Sequence, residues 1–281
     1  TAHGTVERYD VATGGLLSPL SVGASLNGAD ITPDGRYLYV AEGQGGPTQG
    51  LIYKVDLDSG AVTPLPYTLI NNEGGAWYLA VGRDGSALFS AQYEGSGFTP
   101  IRRVDPNTGA IAQVAGSTQE GLIVRGADRG SIYLTEENIS SGPISAYDVD
   151  TATFTRAVGT DDYLSNAAGA VSRDSGLFAV EQGLTNNRVG IYDRNLNLVT
   201  SSTSIGLGGM IFDPVRNFLY ASDGINLKVY NTSTWTSATI GQYDESSGSS
   251  TPFGNGMMAI SPDGSDLFIT TPTGIRAVHL A

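Results

Sequence analysis

Short apolar runs, rich in β-branched and aromatic residues, recur along the chain between clusters of Asp, Asn, Ser, Thr and Gly. Their most regular element is a hydrophobic–aromatic pair that returns six times: Leu38-Tyr39, Leu88-Phe89, Ile132-Tyr133, Leu177-Phe178, Leu219-Tyr220 and Leu267-Phe268. Successive aromatic positions lie 50, 44, 45, 42 and 48 residues apart. Within one cycle the apolar stretches 76–81, 87–91, 100–105 and 110–115 have the length of strands and are too short for ordinary helices. Arg83-Asp84-Gly85 divides the first two and Asn107-Thr108-Gly109 the last two, which is the chemistry of tight hairpin turns. Four short strands repeating at this interval predict an all-β chain, a β-propeller. We expect six blades of four antiparallel strands, with seven as the alternative, in a single domain over residues 1–281.

The turns repeat as well. The first recurs at Pro33-Asp34-Gly35, Asp174-Ser175-Gly176 and Pro262-Asp263-Gly264, and the later one at 10–14, 56–60, 148–152 and 193–197. In an up-and-down blade these short connections share one side. The long, irregular connections 43–50, 70–75, 93–99, 137–142, 160–165 and 242–254 share the other. Variable loops on a rigid scaffold commonly carry binding, so the long-loop side is the expected functional face. Third-type strands number seven (6–10, 52–56, 101–105, 144–148, 189–193, 227–231 and 275–280) against six first-and-second pairs. This imbalance predicts a ring closed by N- and C-terminal strands, which removes open edges.

The string Ile-Thr-Pro-Asp-Gly-Arg-Tyr-Leu-Tyr-Val-Ala at 31–41, followed by Lys-Val-Asp-Leu-Asp-Ser-Gly at 54–60, resembles the YVTN-type repeat of lactonase-like β-propellers. Ala-Ile-Ser-Pro-Asp-Gly at 259–264 matches equally well. The resemblance extends over nearly the whole chain as a repeat. It implies a propeller fold and a range of roles, from surface-layer and adhesin modules to sugar-lactone hydrolases. Where that family carries Asn after the second strand, this chain has Glu42, Gln92, Glu136, Glu181, Asp223 and Thr271.

Composition narrows the function classes. With 28 Asp plus Glu against 15 Lys plus Arg, the net charge is −13, a field that repels phosphate backbones and argues against nucleic-acid partners. The absence of cysteine excludes thiol catalysis and zinc–thiolate sites. No apolar run is long enough to insert in a membrane as a helix. A start at Thr1, without a charged-then-apolar leader, reads as a mature product or an excised domain. Together with the Ser-, Thr-, Gly- and Asn-rich composition, this suggests an exported bacterial protein: extracellular, at the cell surface or periplasmic, and monomeric.

Two polar sets mark the long-loop side. Asn27, Glu120, Asn166 and Asn255 stand where the innermost strands begin, each 12 or 13 residues before the aromatic anchor, and Glu73 is a further candidate for this set across a longer loop. Glu42, Glu136, Glu181 and Asp223 follow the second strands. Calcium takes six to eight oxygen ligands from such carboxylates and amides, so these residues, Glu73 aside, are candidate metal ligands. The resemblance to six-bladed sugar-lactone hydrolases, with a central calcium held by Glu, Asn and Asp, points the same way. Structural turns and solvated acids are the competing explanation. Gln92, Tyr93, Phe98 and Tyr243, set among Gly and Ser, are candidate ligand contacts, whereas Trp77, Tyr78 and Trp235 read as packing residues. His3 and His279 are the only histidines and lie at opposite ends of the chain, which argues against a Ser-His-Asp site on this face. The expected function is a binding module for a small molecule, glycan or protein, with calcium as its candidate cofactor. A metal-dependent lactone or ester hydrolase is the alternative.

Overall fold

The computed structural model describes residues 4–70, 72–95, 97–119, 121–136, 142–159, 168–182, 188–202, 209–223, 225–242, 258–271 and 273–280. Among these the only regular elements are strands. Backbone contacts divide the chain into two units, Thr1–Ile123 with Val149–Thr153, and Val124–Asp148 with Phe154–Ala281.

In the first unit, β1 (Thr5–Asp10) pairs with β2 (Gly15–Ser21). A four-stranded sheet follows, formed in chain order by β3 (Leu26–Ile31), β4 (Tyr37–Glu42), β5 (Gln49–Asp56) and β6 (Val62–Thr68). The next sheet contains β7 (Glu73–Val81), β8 (Ala87–Tyr93), β9 (Thr99–Val104) and β10 (Ile111–Thr118). Tyr39, Ala41, Ile52 and Tyr67 of the first sheet pack with Ala76, Leu79, Val81, Ala87, Phe89 and Val104 of the second. Apolar residues on facing sides of consecutive sheets thus make one core, and neither sheet could bury that face alone. β6 ends its sheet and carries Pro64 and Pro66, opposite Tyr53 and Leu51.

The same arrangement continues with β11 (Leu122–Arg125), β12 (Ser131–Thr135), β13 (Pro143–Asp148) and β14 (Thr153–Gly159). The next two sheets comprise β15 (Gly169–Val171), β16 (Leu177–Gln182), β17 (Arg188–Asp193) and β18 (Leu198–Ser202), then β19 (Met210–Phe212), β20 (Phe218–Asp223), β21 (Asn226–Asn231) and β22 (Ser237–Gln242). A three-stranded sheet of β23 (Met258–Ile260), β24 (Asp266–Thr271) and β25 (Gly274–His279) completes the second unit. Its cores again join consecutive sheets. Tyr133 and Phe178 stack at 4.8 Å, Ile191 packs with Phe212 and Leu219, and Tyr220 packs with Leu267 and Ile269. Trp235 packs against one of these cores, as expected of a structural residue.

The aromatic anchors Tyr39, Phe89, Tyr133, Phe178 and Tyr220 are buried; in the last sheet Leu267 takes the buried place and Phe268 is half-buried. The predicted turns form as hairpins. Asp34, Asp174 and Asp263 each accept from the hydroxyl two residues earlier (Thr32, Ser172 and Ser261) and from a backbone N–H two residues later. These bonds hold all three carboxyls below the usual range, Asp263 at about 2. At the later turn Gly14, Gly60 and Gly109 adopt φ of 69°, 73° and 71°, the left-handed region glycine enters freely. Ala152 fills the equivalent place at φ 51° without that freedom.

Several boundaries differ from the sequence reading by one to three residues, among them the start of β7. The sequence assigns 70–75 to a loop, yet β7 reaches back to Glu73, where it pairs with Tyr93. Two register shifts in β7, at Glu73/Gly75 and Ala76/Leu79, absorb the extra residues. Tyr93 therefore ends a strand rather than sitting in a loop.

Candidate ligand-binding site

Glu42 ends β4 and is 2% exposed. Its Oε2 accepts the backbone N–H of Ala24 at 2.7 Å, and its Oε1 accepts those of Ser25 at 2.7 Å and Gln44 at 3.3 Å. The carboxylate thus closes the connection that enters β3. N–H donors aimed at both oxygens leave poor geometry for a shared cation, so Glu42 does not fit as a calcium ligand. Glu42→Ala is expected to lower stability by about 1–3 kcal/mol in urea denaturation, because these donors lose a charged acceptor. Asn27 donates its amide to the Ala76 carbonyl at 3.0 Å, tying β3 to β7.

Glu73 is engaged by a residue the sequence reading did not single out. Arg102 of β9 donates Nη1 to Glu73 Oε1 at 2.8 Å and Nη2 to Oε2 at 2.7 Å. The guanidinium lies 4.8 Å from the Tyr67 ring centre and also reaches the carbonyl of Thr68 at 3.3 Å. Glu73 Oε2 further accepts the Ile70 N–H at 2.8 Å. Both charged side chains are almost wholly buried, which makes this a desolvated fork-to-fork pair between β7 and β9 of one sheet, whose guanidinium also reaches β6 of the preceding sheet. Burial also raises the pKa of the Tyr67 hydroxyl, which has no hydrogen-bond partner among the described residues.

Glu136 and Glu181 are each 2% exposed. Glu181 occupies the position in its sheet that Glu42 holds in its own, but it is less well served. The backbone N–H of Ala168 bonds its carboxyl group, while Oε1 has no partner among the described residues. Desolvation pushes its pKa up to about 8. Asp223 ends β20. Glu120, Asn166, Asn255 and Tyr243 lie outside the described residues. Among the described residues no three Asp, Glu or His side chains gather as a metal would require.

The other candidate set lies together at the long-loop end of β7, β8 and β9. Phe98 is 53% exposed, and Tyr93 and Gln92 are half-buried. The Tyr93 hydroxyl accepts from the exposed Asn72 amide at 3.3 Å, and the Glu94 N–H donates to the Asn72 carbonyl at 2.7 Å. The Tyr93 ring lies against Gly97 so closely that a Cβ there would come within 2.5 Å of it. Glycine at 97 is what leaves room for the phenol end of the ring. Trp77 and Tyr78, by contrast, pack edge to face at 5.7 Å, and Tyr78 is buried. This end of the sheet therefore presents an exposed Phe98, a half-buried Tyr93 bonded to the Asn72 amide, and an exposed Glu94.

No protein-family model and no curated protein matches the chain. Solved structures do. A hydrazine synthase from Kuenenia stuttgartiensis aligns with a TM-score of 0.76 at 13% identity, over 99% of this chain and 90% of that one. An oligogalacturonate lyase in complex with manganese aligns at 0.71 and 13%, over 98% and 82%. A 6-phosphogluconolactonase-like protein from Bacteroides uniformis aligns at 0.69 and 17%, over 98% and 87%. These are propeller-like proteins. The fold is an all-β propeller. The strand order seen in each sheet is that of propeller blades, and the connection between β8 and β9 carries Tyr93 and Phe98. At these identities the likeness establishes fold and not activity.

Proposed function

We propose that the chain is an exported binding module, acting as a monomer outside the cytoplasm, whose long-loop face takes a glycan. The observation that carries this reading is the exposed Phe98 ring on the connection that begins at the half-buried Tyr93, whose hydroxyl accepts from Asn72 and whose chain neighbours are Gln92 and Glu94. Sugar rings present C–H faces that pack on aromatic rings, and hydroxyls that bond amides and carboxylates. Resemblance to the YVTN-type repeat, in which surface modules are common, agrees with it.

The test is calorimetric titration of neutral oligosaccharides found by glycan-array screening. Phe98→Ala and Tyr93→Ala should each weaken binding at least tenfold, about 1.4 kcal/mol. Phe98→Ala should leave the melting temperature nearly unchanged, since the ring is exposed. Glycan affinity retained in both variants would refute the assignment.

A second reading, a lactone or ester hydrolase, draws on Glu181. A buried carboxyl with a raised pKa and a free oxygen has the character of a general acid. The oligogalacturonate lyase and lactonase-like neighbours fit it at the level of fold. Calcium is the candidate cofactor of either reading; of its candidate ligands, Glu120, Asn166 and Asn255 are beyond the described residues, and Glu136, Glu181 and Asp223 stand at the ends of the second strands.

A further inference from the structure

On the opposite, hairpin-turn side of the first unit, two adjoining hollows of about 320 and 360 Å³ lie between the blade of β3–β6 and that of β7–β10. They share Tyr37, Lys54, Pro106 and Asn107, and so form one groove. Lys54 stands at its centre. Its ammonium is 4.2 Å from the Tyr37 ring centre and 5.8 Å from that of Tyr39, and donates to the Pro106 carbonyl at 3.1 Å.

The neighbouring cations are all neutralised. Arg83 bonds both carboxylate oxygens of Asp150, Arg103 pairs with Asp84 at 2.6 Å, and Arg36 pairs with Asp56 at 3.4 Å. Lys54 has no carboxylate partner among the described residues, only a carbonyl and two ring faces. An ammonium has three donors, and the single carbonyl takes one. The Asn107 side-chain amide, exposed at the same shared wall, makes no side-chain hydrogen bond among the described residues. In a protein of net charge −13 with only two lysines, one is held part-buried in a groove with donor capacity to spare.

We propose that this groove is a second ligand site, separate from the glycan face, which takes a small oxyanion, a carboxylate or phosphate, on the Lys54 ammonium with Asn107 as its second donor. Cation–π contacts with Tyr37 and Tyr39 hold the ammonium in place without cancelling its charge, which orients it for an incoming anion. The acidic surroundings restrict the site to small ligands bearing little net negative charge.

The two lysines make the test direct. Protein selectively labelled with carbon-13 lysine has one Cε–Hε signal from Lys54 and one from Lys228, assigned by Lys228→Arg. It is titrated with gluconate, with inorganic phosphate and with glucose as the neutral match to gluconate. At about 10 mM, tenfold above a weak dissociation constant of about 1 mM, gluconate or phosphate should shift the Lys54 signal to saturation. Lys228 should stay in place and glucose should have no effect. Lys54→Met should abolish the heat of anion binding. A response to phosphate alone assigns free phosphate as the ligand, and one to gluconate alone a sugar acid. Equal movement of both lysines, an equal response to glucose, or no shift of Lys54 with either anion would overturn the proposal. The glycan titration of Phe98→Ala is independent of all of these outcomes.

Discussion

Arg102→Met is expected to destabilise the folded chain by about 3–5 kcal/mol, because it leaves the Glu73 carboxylate buried without its cation. The loss should be visible as a large fall in the urea midpoint. Glu73→Gln keeps the acceptor oxygen and the side-chain shape but removes the charge, and should cost a similar amount through the stranded guanidinium. The informative comparison is the double variant, Arg102→Met with Glu73→Met. An ion pair taken wholly out of water barely recovers its desolvation cost, so apolar replacements of similar volume should restore most of the lost stability. Recovery will be incomplete by the worth of the Ile70 N–H bond that Glu73 also accepts. If the single variants lost less than about 1 kcal/mol, comparable to an exposed pair, the pair would not be a desolvated clamp.

Glu181→Gln should raise stability at alkaline pH. The unfolded chain releases this proton near the ordinary value of 4.5, the folded chain at about 8. Between those values the folded state holds more protons than the unfolded state, so stability falls as pH rises. The contribution is fully favourable below about pH 4.5 and declines by about 4 kcal/mol on reaching pH 8, since one proton held across each pH step of that interval is worth roughly 1.4 kcal/mol. Glutamine retains an oxygen for the Ala168 N–H and cannot ionise. The variant should therefore match the parent near pH 5 and exceed it near pH 8, in urea denaturation at both pH values. The hydroxyl-capped turn aspartates, whose pKa values are lowered, lose their stabilisation only in more acidic solution, and they are common to both proteins. Parallel profiles would mean that Glu181 ionises in the folded state as it does in the unfolded one.

The repeat was legible because its marks are local. An apolar–aromatic pair specifies a buried strand, and Asp with a following Gly specifies the hairpin; neither depends on distant partners. The strand 52–56 expected from sequence lies within Gln49–Asp56, and 227–231 within Asn226–Asn231. The candidate site was less legible because its meaning depends on neighbours. Glu42 shows its residue type and strand position in the sequence, but not the N–H groups that enclose it. Arg102 could have been found. In Ile101-Arg102-Arg103-Val104, alternation turns successive side chains to opposite faces of a strand, so two adjacent arginines cannot both point outward. One of them turns inward and needs an acid, and Glu73 supplies it from β7, two strands away in the same sheet. The Lys54 groove was missed for a different reason. Its walls are the short turns, which the sequence presents as connectors, and the hollow exists only where turns of two blades meet.

The prolines of β6 bear on how the chain keeps apart from its own copies. Val62–Thr68 is an uncharged, β-prone heptapeptide at an open sheet margin, the kind of segment that recruits identical strands into fibrils. Pro64 and Pro66 fall at alternate positions, so the donors they lack are on the same side of the strand. Because β6 pairs with β5 along its other side, that donor-poor side faces away from the sheet. An approaching strand finds acceptors there without the matching amides. Self-association is thereby blocked at the backbone, which leaves the side chains of this margin free to vary without making it adhesive.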